Sequence, residues 1–233
     1  MERGFVESKN LAKSLILAGN VCVNNIPVDK PGTLVIKNSQ ILIKGDKIPY
    51  VSRGGLKLEE ALKKNNIDVN KLNCLDVGAS TGGFTDCLIQ NGAKHVFAVD
   101  VGYGQLAWKL RQNPDITVIE RTNIRYLKHD ALPYQVDLIT IDTSFISLKI
   151  VVPCVLKFLK PGGKILALIK PQFEVGKGKV GKGGVVRDTE MHKKVIDDLI
   201  YFFADLGLSF QSITKSPILG PKGNQEFVIF LIY

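Results

Sequence analysis

The chain has few of the residues that define metal-binding, disulfide-linked and membrane proteins. Its four cysteines, Cys22, Cys74, Cys87 and Cys154, lie far apart and include no C-x-x-C pair. This spacing predicts neither a metal site nor a disulfide framework, and it is typical of a protein from a reducing compartment. No apolar run approaches the roughly 18 residues that span a membrane. The charged start MERGFVESKN lacks the apolar core of a signal peptide. We therefore expect a cytoplasmic protein that binds no metal and no membrane.

Acidic residues are scarce relative to basic ones. The 233 residues include 31 Lys and Arg against 22 Asp and Glu, which gives a formal net charge of +9. Such an excess favours a polyanionic partner, and nucleic acid is the leading candidate. Charge alone does not separate this interpretation from an ordinary solvated surface, because many basic proteins bind no nucleic acid.

One segment, DVGASTGGF at residues 76–84, is unusually rich in glycine. It follows a predicted buried strand, Leu72–Val77, and precedes a helical pattern that begins at Phe84. A strand, a glycine-rich turn and a helix in that order expose backbone N–H groups to a nucleotide-like ligand in an open α/β sheet. The alternative is an ordinary turn between a strand and a helix.

This turn lacks the motifs that bind phosphate. It has neither the G-x-G-x-x-G spacing of dinucleotide-binding folds nor the G-K-[ST] ending of a P-loop. Asp100 ends the next predicted strand, where an acidic side chain can accept hydrogen bonds from ribose hydroxyls. A carboxylate for ribose without a lysine for phosphate suits S-adenosylmethionine, which contains adenosine but no phosphate. The sequence therefore predicts S-adenosylmethionine as the cofactor.

Strand and helix patterns alternate from Leu72 onward. The predicted strands are Leu72–Val77, His95–Val99, Ile116–Ile119, Val136–Ile141 and Lys164–Ile169, with helices near residues 84–91, 105–112, 147–159 and 189–206. Two further strands, Ser209–Lys215 and Glu226–Tyr233, are separated by a loop without a helix, so they must be antiparallel neighbours. The predicted fold class is α/β. It is a mostly parallel Rossmann-like sheet with an antiparallel C-terminal hairpin, as in methyltransferases rather than dehydrogenases.

The N-terminal segment has a different pattern. Residues 1–48 predict a short helix after Ser8 and three short extended pieces, which together make a small α/β module with a thin core. Residues 49–52 predict a linker, because Pro49 enforces an extended chain. A helix from about residue 52 to residue 65 then leads into the larger domain, residues 53–233.

Asp142 and Lys170 each follow a predicted central strand. Because the carboxyl ends of parallel strands meet at one rim of the sheet, both side chains should reach the crevice where such folds bind ligands. Two alternatives remain open. Asp142 could cap the next helix, a task that Ser144 or Ser147 could also perform, and Lys170 could extend to solvent.

Two other charged residues are placed on the surface by their local patterns. Lys57 lies on the polar side of its helix with Glu60 and Lys64, and Glu226 opens the last strand after a Gly-Asn turn. Neither pattern by itself indicates chemistry.

The segment GKGKVGKGGVV, residues 176–186, combines glycine and lysine without aromatic residues. Such a flexible cationic loop could hold RNA phosphates or could be disordered. Phe173, just before it, could stack on a base or be buried.

Several motifs together resemble a known family. They are YVSRGGLKLEEAL, LDVGASTGGFTDCLIQNGA, AVDVGYGQLAWKLR, ERTNIR, IDTSFISL, LIKPQFE and GNQEF. They cover essentially the whole chain and resemble the TlyA (hemolysin A) family of ribosomal RNA 2′-O-methyltransferases, which have an FtsJ-like catalytic domain. The resemblance implies that residues 1–48 are the small RNA-binding domain named after a ribosomal protein of the small subunit. The family usually has a further helix before the Glu-Arg-Gly, so this module is expected to be shortened at its N-terminus.

The resemblance also implies the residues of the active site. FtsJ-like enzymes have a Lys-Asp-Lys-Glu tetrad, which falls on Lys57, Asp142, Lys170 and Glu226. Lys170 is expected to position and deprotonate the ribose 2′-hydroxyl, and the two carboxylates are expected to orient the lysines. The expected cofactor-binding residues are Asp76, Gly78, Ser80, Thr81, Gly82, Gly83, Phe84, Asp100 and Asn123. The expected RNA-binding residues are Arg3, Lys9, Lys13, Arg53, Lys177, Lys179 and Lys182.

The implied function is S-adenosylmethionine-dependent ribose 2′-O-methylation of ribosomal RNA, with cytidine of the small subunit, the large subunit or both as the target. Ribosomal RNA or ribosomal subunits are then the expected partners. Two other classes remain as alternatives: a membrane-active hemolysin, which the second family name suggests, and a non-catalytic RNA-binding protein. The sequence shows no strongly apolar helix face beside a basic one, and the complete tetrad argues against a binding role alone.

Overall fold

The chain divides into two units, Met1–Lys47 and Ile48–Tyr233, in a computed structural model. The structure describes residues 3–6, 8–17, 20–43, 48–176, 180–220 and 223–233, with the exception of the side chains of Pro27 and Lys182. Among these residues, no helix is both long enough and apolar enough to cross a membrane.

The N-terminal unit consists of one helix and a small antiparallel sheet. Its elements are α1 (Lys9–Leu17), β1 (Val21–Val23), β2 (Ile26–Val28) and β3 (Ile41–Ile43), with the strands in the order β2-β1-β3. Ser8 begins the helix, because its Oγ accepts a hydrogen bond from the backbone N–H of Leu11 at 3.2 Å. Asn24 and Asn25 join β1 to β2 with φ angles of 50° and 65°, which asparagine tolerates in hairpin turns. No residue of α1 is buried, so the unit has the thin core that was expected.

The larger unit is a seven-stranded sheet with helices on both faces. Its strands are β4 (Asn73–Val77), β5 (His95–Val99), β6 (Ile116–Ile119), β7 (Val136–Ile141), β8 (Leu159–Ile169), β9 (Ser209–Lys215) and β10 (Phe227–Ile232). Its helices are α2 (Gly54–Lys64), α3 (Gly83–Gln90), α4 (Trp108–Arg111), α5 (Leu148–Val155), α6 (Pro171–Glu174) and α7 (Thr189–Asp205). Short 3₁₀ turns lie at Ile124–Tyr126, His129–Ala131, Leu156–Phe158 and Lys182–Gly184.

The strands follow the order β6-β5-β4-β7-β8-β10-β9. Strands β4 to β8 are parallel, and β10 lies antiparallel between β8 and β9. After β4 the chain first builds β5 and β6 on one side and then crosses to β7 on the other. The carboxyl ends of β4 and β7 therefore flank the crevice in which such open sheets bind ligands. The predicted fold class, including the antiparallel C-terminal hairpin, is confirmed.

Apolar side chains cover both faces of the sheet because alternate strand residues point in opposite directions. Leu75 of β4 packs on the face covered by α5 and α7, where Phe203 is buried. Cys74 packs on the other face with Leu58 of α2 and Leu88 of α3. Burial of each such aliphatic or aromatic side chain contributes roughly 1.5–3 kcal/mol. The two layers hold the strand ends, and hence the crevice, in a fixed position.

The helix predicted at residues 105–112 is shorter than expected. The loop before α4 is held in a non-helical form by two carboxylates. Asp100 Oδ1 accepts a hydrogen bond from the N–H of Gly102 at 2.6 Å, and Glu120 Oε1 accepts one from the N–H of Gly104 at 2.9 Å. Because of these bonds, the helix begins only at Trp108.

Strand β8 begins at Leu159, earlier than the predicted Lys164. Its first part pairs Leu159 with Val136 of β7, and the N–H of Gly162 donates to the carbonyl of Tyr233 at 2.7 Å. The helix predicted to reach residue 159 therefore ends earlier, and a 3₁₀ turn precedes the strand.

Residues of the predicted linker 49–52 pack within the larger unit. Tyr50 is buried in the layer formed with α2 and α3, and the N–H of Val51 donates to Oδ2 of Asp86 at 2.8 Å. Helix α3 supplies these contacts, so this segment is part of the larger unit in the structure.

Candidate active site

Lys170 and Asp142 meet where two neighbouring parallel strands end. Asp142 follows β7, and Lys170 follows β8. The Nζ of Lys170 lies 2.6 Å from Oδ1 of Asp142 and 2.9 Å from Oγ of Ser144. The Lys170 side chain is only 9% exposed, which excludes the alternative that it extends to solvent. Because the pair is largely shielded from water, the carboxylate attracts the ammonium group more strongly than it would at an open surface.

Lys57 and Glu226 form a second, more deeply buried ion pair. Nζ of Lys57 lies 2.6 Å from Oε2 of Glu226, and the two side chains are 9% and 0% exposed. Helix α2 carries the lysine, and the glutamate directly precedes β10. The surface positions that the local patterns favoured for these two residues are therefore wrong. Burial of each charge is compensated by a partner that is distant in sequence and absent from its local pattern.

The ion pairs border one cavity of about 290 Å³ in the larger unit. Lys57, Asp142 and Lys170 line it directly, whereas Glu226 lies behind Lys57. The other lining residues come from the start of α2, the glycine turn, the loop after β7 and the loop before β10; they are Ser52, Arg53, Gly54, Gly78, Ala79, Ser80, Thr81, Gly83, Phe84, Ser144, Ile218, Leu219 and Gly220. The structure thus places the lysines and the glycine turn, separate in sequence, on the walls of one space.

The glycine turn approaches the end of β7 closely. Gly78 has a φ of +86°, and a Cβ at this position would lie 2.6 Å from the carbonyl oxygen of Asp142. Ser80 and Gly82 also have positive φ angles, 49° and 97°. Any larger residue at position 78 would push the two strand ends apart. The turn therefore lies directly against the loop that carries Asp142.

Asp100 ends β5 and supports the same turn. Its Oδ2 accepts a hydrogen bond from the N–H of Ser80 at 2.8 Å, and its Oδ1 accepts one from Gly102 at 2.6 Å. A carboxylate has about four acceptor positions, so these bonds leave capacity for two ribose hydroxyls. Asp100 is not among the residues that line the cavity. The groups around this turn fit S-adenosylmethionine. The turn requires glycine for steric reasons, an acidic strand end lies beside it, and the turn itself contains no lysine.

Three other expected cofactor residues also lie outside the cavity lining: Asp76, Gly82 and Asn123. The Asp76 carboxylate is fully buried and accepts hydrogen bonds from the hydroxyls of Thr85 at 2.6 Å and Thr140 at 3.0 Å. Burial raises the pKa of Asp76 to about 6, although both hydrogen bonds act in the opposite direction.

Gly82 precedes α3 and packs against Leu110, while Asn123 caps a 3₁₀ turn by accepting from the N–H of Arg125 at 3.1 Å. In the structure Asp76, Gly82 and Asn123 thus support neighbouring elements.

The loop after Asp142 contains groups that the sequence analysis did not assign to the site. Ser147 is the residue that caps α5, since its Oγ accepts from the N–H of Lys149 at 3.1 Å. Glu174 accepts hydrogen bonds from the Ser147 hydroxyl at 2.5 Å and from the N–H of Leu148 at 2.8 Å. Burial raises the pKa of the Glu174 carboxyl. The sequence held no signal for this contact, because Glu174 belongs to another helix.

Phe145 in the same loop is 90% exposed and has a φ of 64°. Its ring centroid lies 5.0 Å from that of Phe173, which is only partly exposed, so the two aromatic residues form a pair shortly after the two strand ends. The position of Phe145 shortly after the predicted strand Val136–Ile141 is the one signal that could have identified it.

The expected RNA-binding residues fall in three places. Arg3, Lys9 and Lys13 are exposed on the N-terminal unit, where Arg3 also donates to the carbonyl of Ser39 at 2.6 Å. Arg53 is exposed at the cavity of the larger unit. Lys177 and Lys179 lie outside the described residues, as does the side chain of Lys182.

The order of the strands identifies the class of protein. An antiparallel strand inserted beside the edge strand of an otherwise parallel sheet, with an acidic residue at the end of the second strand, is the architecture of S-adenosylmethionine-dependent methyltransferases. The chain is an enzyme of this class, with S-adenosylmethionine as its cofactor. More particularly, it belongs to the FtsJ-like methyltransferase family, whose model matches residues 50–233, and an S4 domain matches residues 2–41.

Similar proteins match the chain along nearly its whole length. The "Putative rRNA methyltransferase YqxC" of Bacillus subtilis is 47% identical over 232 residues, which are 99% of this chain and 83% of that protein. The "16S/23S rRNA (cytidine-2'-O)-methyltransferase TlyA" of Mycobacterium tuberculosis is 44% identical over 232 residues, 99% of this chain and 87% of that protein. A solved "Putative hemolysin from Streptococcus thermophilus" has a TM-score of 0.83 at 44% identity and covers 99% of this chain and 85% of that chain. The family resemblance found in the sequence is confirmed.

Proposed function

We propose that the chain transfers a methyl group to the 2′-hydroxyl of a cytidine ribose in ribosomal RNA and does so in the cytoplasm. The observation that carries the proposal is the shielded pair of Lys170 and Asp142 on the wall of the cavity beside the glycine turn. The name of the Mycobacterium tuberculosis relative supports the same substrate and the same atom of the ribose.

Lys170 performs the proton transfer in this proposal. A ribose hydroxyl is a weak nucleophile, so its proton must leave as its oxygen forms the new O–C bond. S-adenosylmethionine, when bound, supplies the methyl group on a sulfonium, whose C–S bond breaks as the O–C bond forms. Lys170 first releases one proton of its ammonium group to solvent, and Nζ, now a neutral amine, then takes the hydroxyl proton and becomes an ammonium group again. Asp142 holds Nζ in place at 2.6 Å, which keeps the base aligned with the hydroxyl.

Lys57 supplies a second, fixed positive charge on the wall of the same cavity. Glu226 holds its ammonium group at 2.6 Å inside a largely buried environment. A cation that is fixed before the reaction stabilises the negative charge that develops on the 2′-oxygen as the proton leaves. In this scheme the two carboxylates orient the lysines and do not touch the ribose.

RNA is held by charges on both units. The S4 domain match covers Arg3, Lys9 and Lys13, and Arg53 is exposed at the cavity. We assign these four side chains to contacts with RNA phosphates, which position the substrate without selecting its sequence.

Single-turnover methylation of ribosomal subunits tests this function. The wild-type chain should transfer a methyl group from labelled S-adenosylmethionine to a ribose, and mapping of 2′-O-methyl positions should locate it on a cytidine. Lys170→Ala should lower the rate constant about 10²- to 10⁴-fold, because it removes the general base. Its affinity for S-adenosylmethionine, measured by calorimetry, should remain near that of the wild type. Lys164→Ala on the same strand is the matched control and should keep the wild-type rate.

The two alternative functions give different results in this methylation assay and in a vesicle-leakage assay run beside it. A non-catalytic RNA-binding protein would bind ribosomal subunits but leave no 2′-O-methyl mark. A membrane-active hemolysin would release dye from lipid vesicles whether or not Lys170 was replaced. Near-wild-type methylation by a folded Lys170→Ala variant would show that the proposed base is wrong.

A further inference from the structure

Ser144 is a neighbour of the proposed base that the Lys-Asp-Lys-Glu tetrad does not include. We propose that Ser144 is a positioning residue for methyl transfer, because its hydroxyl and the Asp142 carboxylate together fix the direction in which Lys170 accepts a proton. The inference rests on the proposed function, since it concerns the same lysine. It adds a residue whose part in the reaction follows from the geometry around Nζ.

The argument starts from the shape of an amine. Nζ of Lys170 is bonded to its own Cε and has three further tetrahedral positions. Two of them face acceptors: Oδ1 of Asp142 at 2.6 Å and Oγ of Ser144 at 2.9 Å. When the amine is neutral, its two N–H groups donate to these acceptors, and the lone pair takes the third position. Lys170 lines the cavity, so a lone pair fixed in this way is available to a hydroxyl there.

One acceptor is not sufficient for this control. With Asp142 alone, only one N–H would be directed, and the second N–H and the lone pair could exchange between the two remaining tetrahedral positions of Nζ. A second acceptor removes that freedom. Since reaction requires the base and the hydroxyl to be aligned, the second hydrogen bond acts on the rate of proton transfer and not on the binding of either substrate.

Ser144 is itself held by the loop around it. The capping of α5, which Ser144 could have performed, is done by Ser147. Glu174 fixes the far end of this loop through Ser147 and through the N–H of Leu148. Phe145 adopts a φ of 64°, which turns the chain directly after Ser144. A conformation that bulky residues rarely adopt is maintained here next to the reaction centre, as is common at functional sites.

The test compares Ser144→Ala with Ser144→Thr, which retains a hydroxyl. Under single-turnover conditions Ser144→Ala should transfer methyl about 10- to 100-fold more slowly than the wild type, while its dissociation constants for S-adenosylmethionine and ribosomal subunits stay within twofold. Ser144→Thr should recover most of the rate. Ser209→Ala, on the exposed strand β9, is the matched control and should react like the wild type.

A second measurement does not depend on activity. In protein labelled with ¹⁵N at lysine Nζ, the Nζ signal of Lys170 should shift between the wild type and Ser144→Ala, because the substitution removes one of its two hydrogen-bond acceptors. The signals of Lys57, which Glu226 holds, should not change and serve as the internal control.

The inference and the proposed function fail in different ways. An inactive wild type would overturn the proposed function and, with it, the inference. An active wild type together with an equally active Ser144→Ala would overturn the inference alone. Equal loss of rate in Ser144→Ala and Ser144→Thr would also overturn it, because the loss would then come from the loop and not from the hydroxyl. An unchanged NMR signal of Lys170 in Ser144→Ala would also overturn the inference.

Discussion

Gly220 lies so close to the carboxylate of Glu226 that a Cβ at position 220 would overlap Oε1 of the glutamate. The glycine cannot withdraw easily, because its N–H donates to the carbonyl of Asn224 at 2.9 Å and its own carbonyl accepts from Gly223 at 3.1 Å. The glutamate is fully buried and bonded to Lys57. The absence of a side chain at position 220 therefore leaves the space in which this ion pair forms.

Gly220→Ala should slow methyl transfer about 10- to 100-fold, because a displaced Glu226 no longer holds Lys57 in position. Single-turnover methylation measures the loss. Gly223→Ala in the same loop is the control. A Cβ there meets nothing within 4 Å, although a φ of +88° makes the substitution strained. Gly223→Ala should therefore lower the free energy of unfolding by about 1–2 kcal/mol and leave the rate unchanged.

Combining Gly220→Ala with Glu226→Ala identifies the cause. In the Glu226→Ala background the space that the carboxylate fills is already free, so Gly220→Ala should cause no further loss of the methyl-transfer rate. Such non-additivity is expected for residues in direct contact. Independent losses from the two substitutions would contradict the steric explanation.

Asp100→Ala should weaken binding of S-adenosylmethionine. A hydrogen bond to a charged acceptor contributes about 1.5–3 kcal/mol, which corresponds to a loss of affinity of about 10- to 100-fold. Calorimetry measures the change. Asp115→Ala, an exposed aspartate before β6, is the matched control. Unchanged affinity of Asp100→Ala would move the ribose site to another residue.

Asp76 should make the protein less stable as the pH rises. Because burial raises its pKa to about 6 in the folded state, folding favours the protonated carboxyl. The folded protein then binds more protons than the unfolded chain between about pH 4 and 6, so stability falls as pH rises through this range. Asp76→Asn removes this contribution. The free energy of unfolding of the variant relative to wild type should therefore increase by about 2–3 kcal/mol from pH 4 to pH 7.

Urea unfolding at pH 4, 5, 6 and 7 measures this difference. Other titrating groups affect both proteins equally and cancel in the comparison. A constant difference between the two proteins over this range would show that Asp76 has an ordinary pKa.

RNA affinity should depend steeply on salt. Lys9 and Lys13 lie one turn apart on the exposed surface of α1, where both can contact phosphates. Replacing both by alanine should reduce the magnitude of the slope of log K against log salt by about 1.4–1.8, since each phosphate contact contributes about 0.7–0.9. Filter binding from low to high salt measures the slope. Alanine at Lys193 and Lys194 of α7 is the matched control. An equal change of slope in that variant would mean that RNA affinity depends only on the total charge of the protein.

Local patterns predicted three of the five parallel strands with the bounds that they have in the structure: His95–Val99, Ile116–Ile119 and Val136–Ile141. These runs are rich in valine and isoleucine. His95–Val99 and Val136–Ile141 are largely buried on both faces, so their pattern does not depend on distant parts of the chain. Asp142 and Lys170 were also placed at the same rim from strand order alone.

Other parts of the site could not be predicted from local pattern. Lys57 is part of an ordinary amphipathic helix, and its ion-pair partner, Glu226, lies 169 residues away. Family resemblance, and not periodicity, assigned both residues to the site. Ser144 and Glu174 escaped prediction for a similar reason, because their partners lie on other elements. The cavity lining does not include Asp76, since strand alternation points its side chain towards Thr85.

The position of β10 between β8 and β9 has a consequence for synthesis. Strand β9 pairs only with β10, which follows it in the chain, so it has no neighbour until the later strand is made. Until then Lys57 also lacks its partner, although helix α2 was made long before. Contacts between such distant segments form late, because a long loop must close first. A nascent chain therefore cannot form the Lys57–Glu226 pair before Glu226 and β10 have been made.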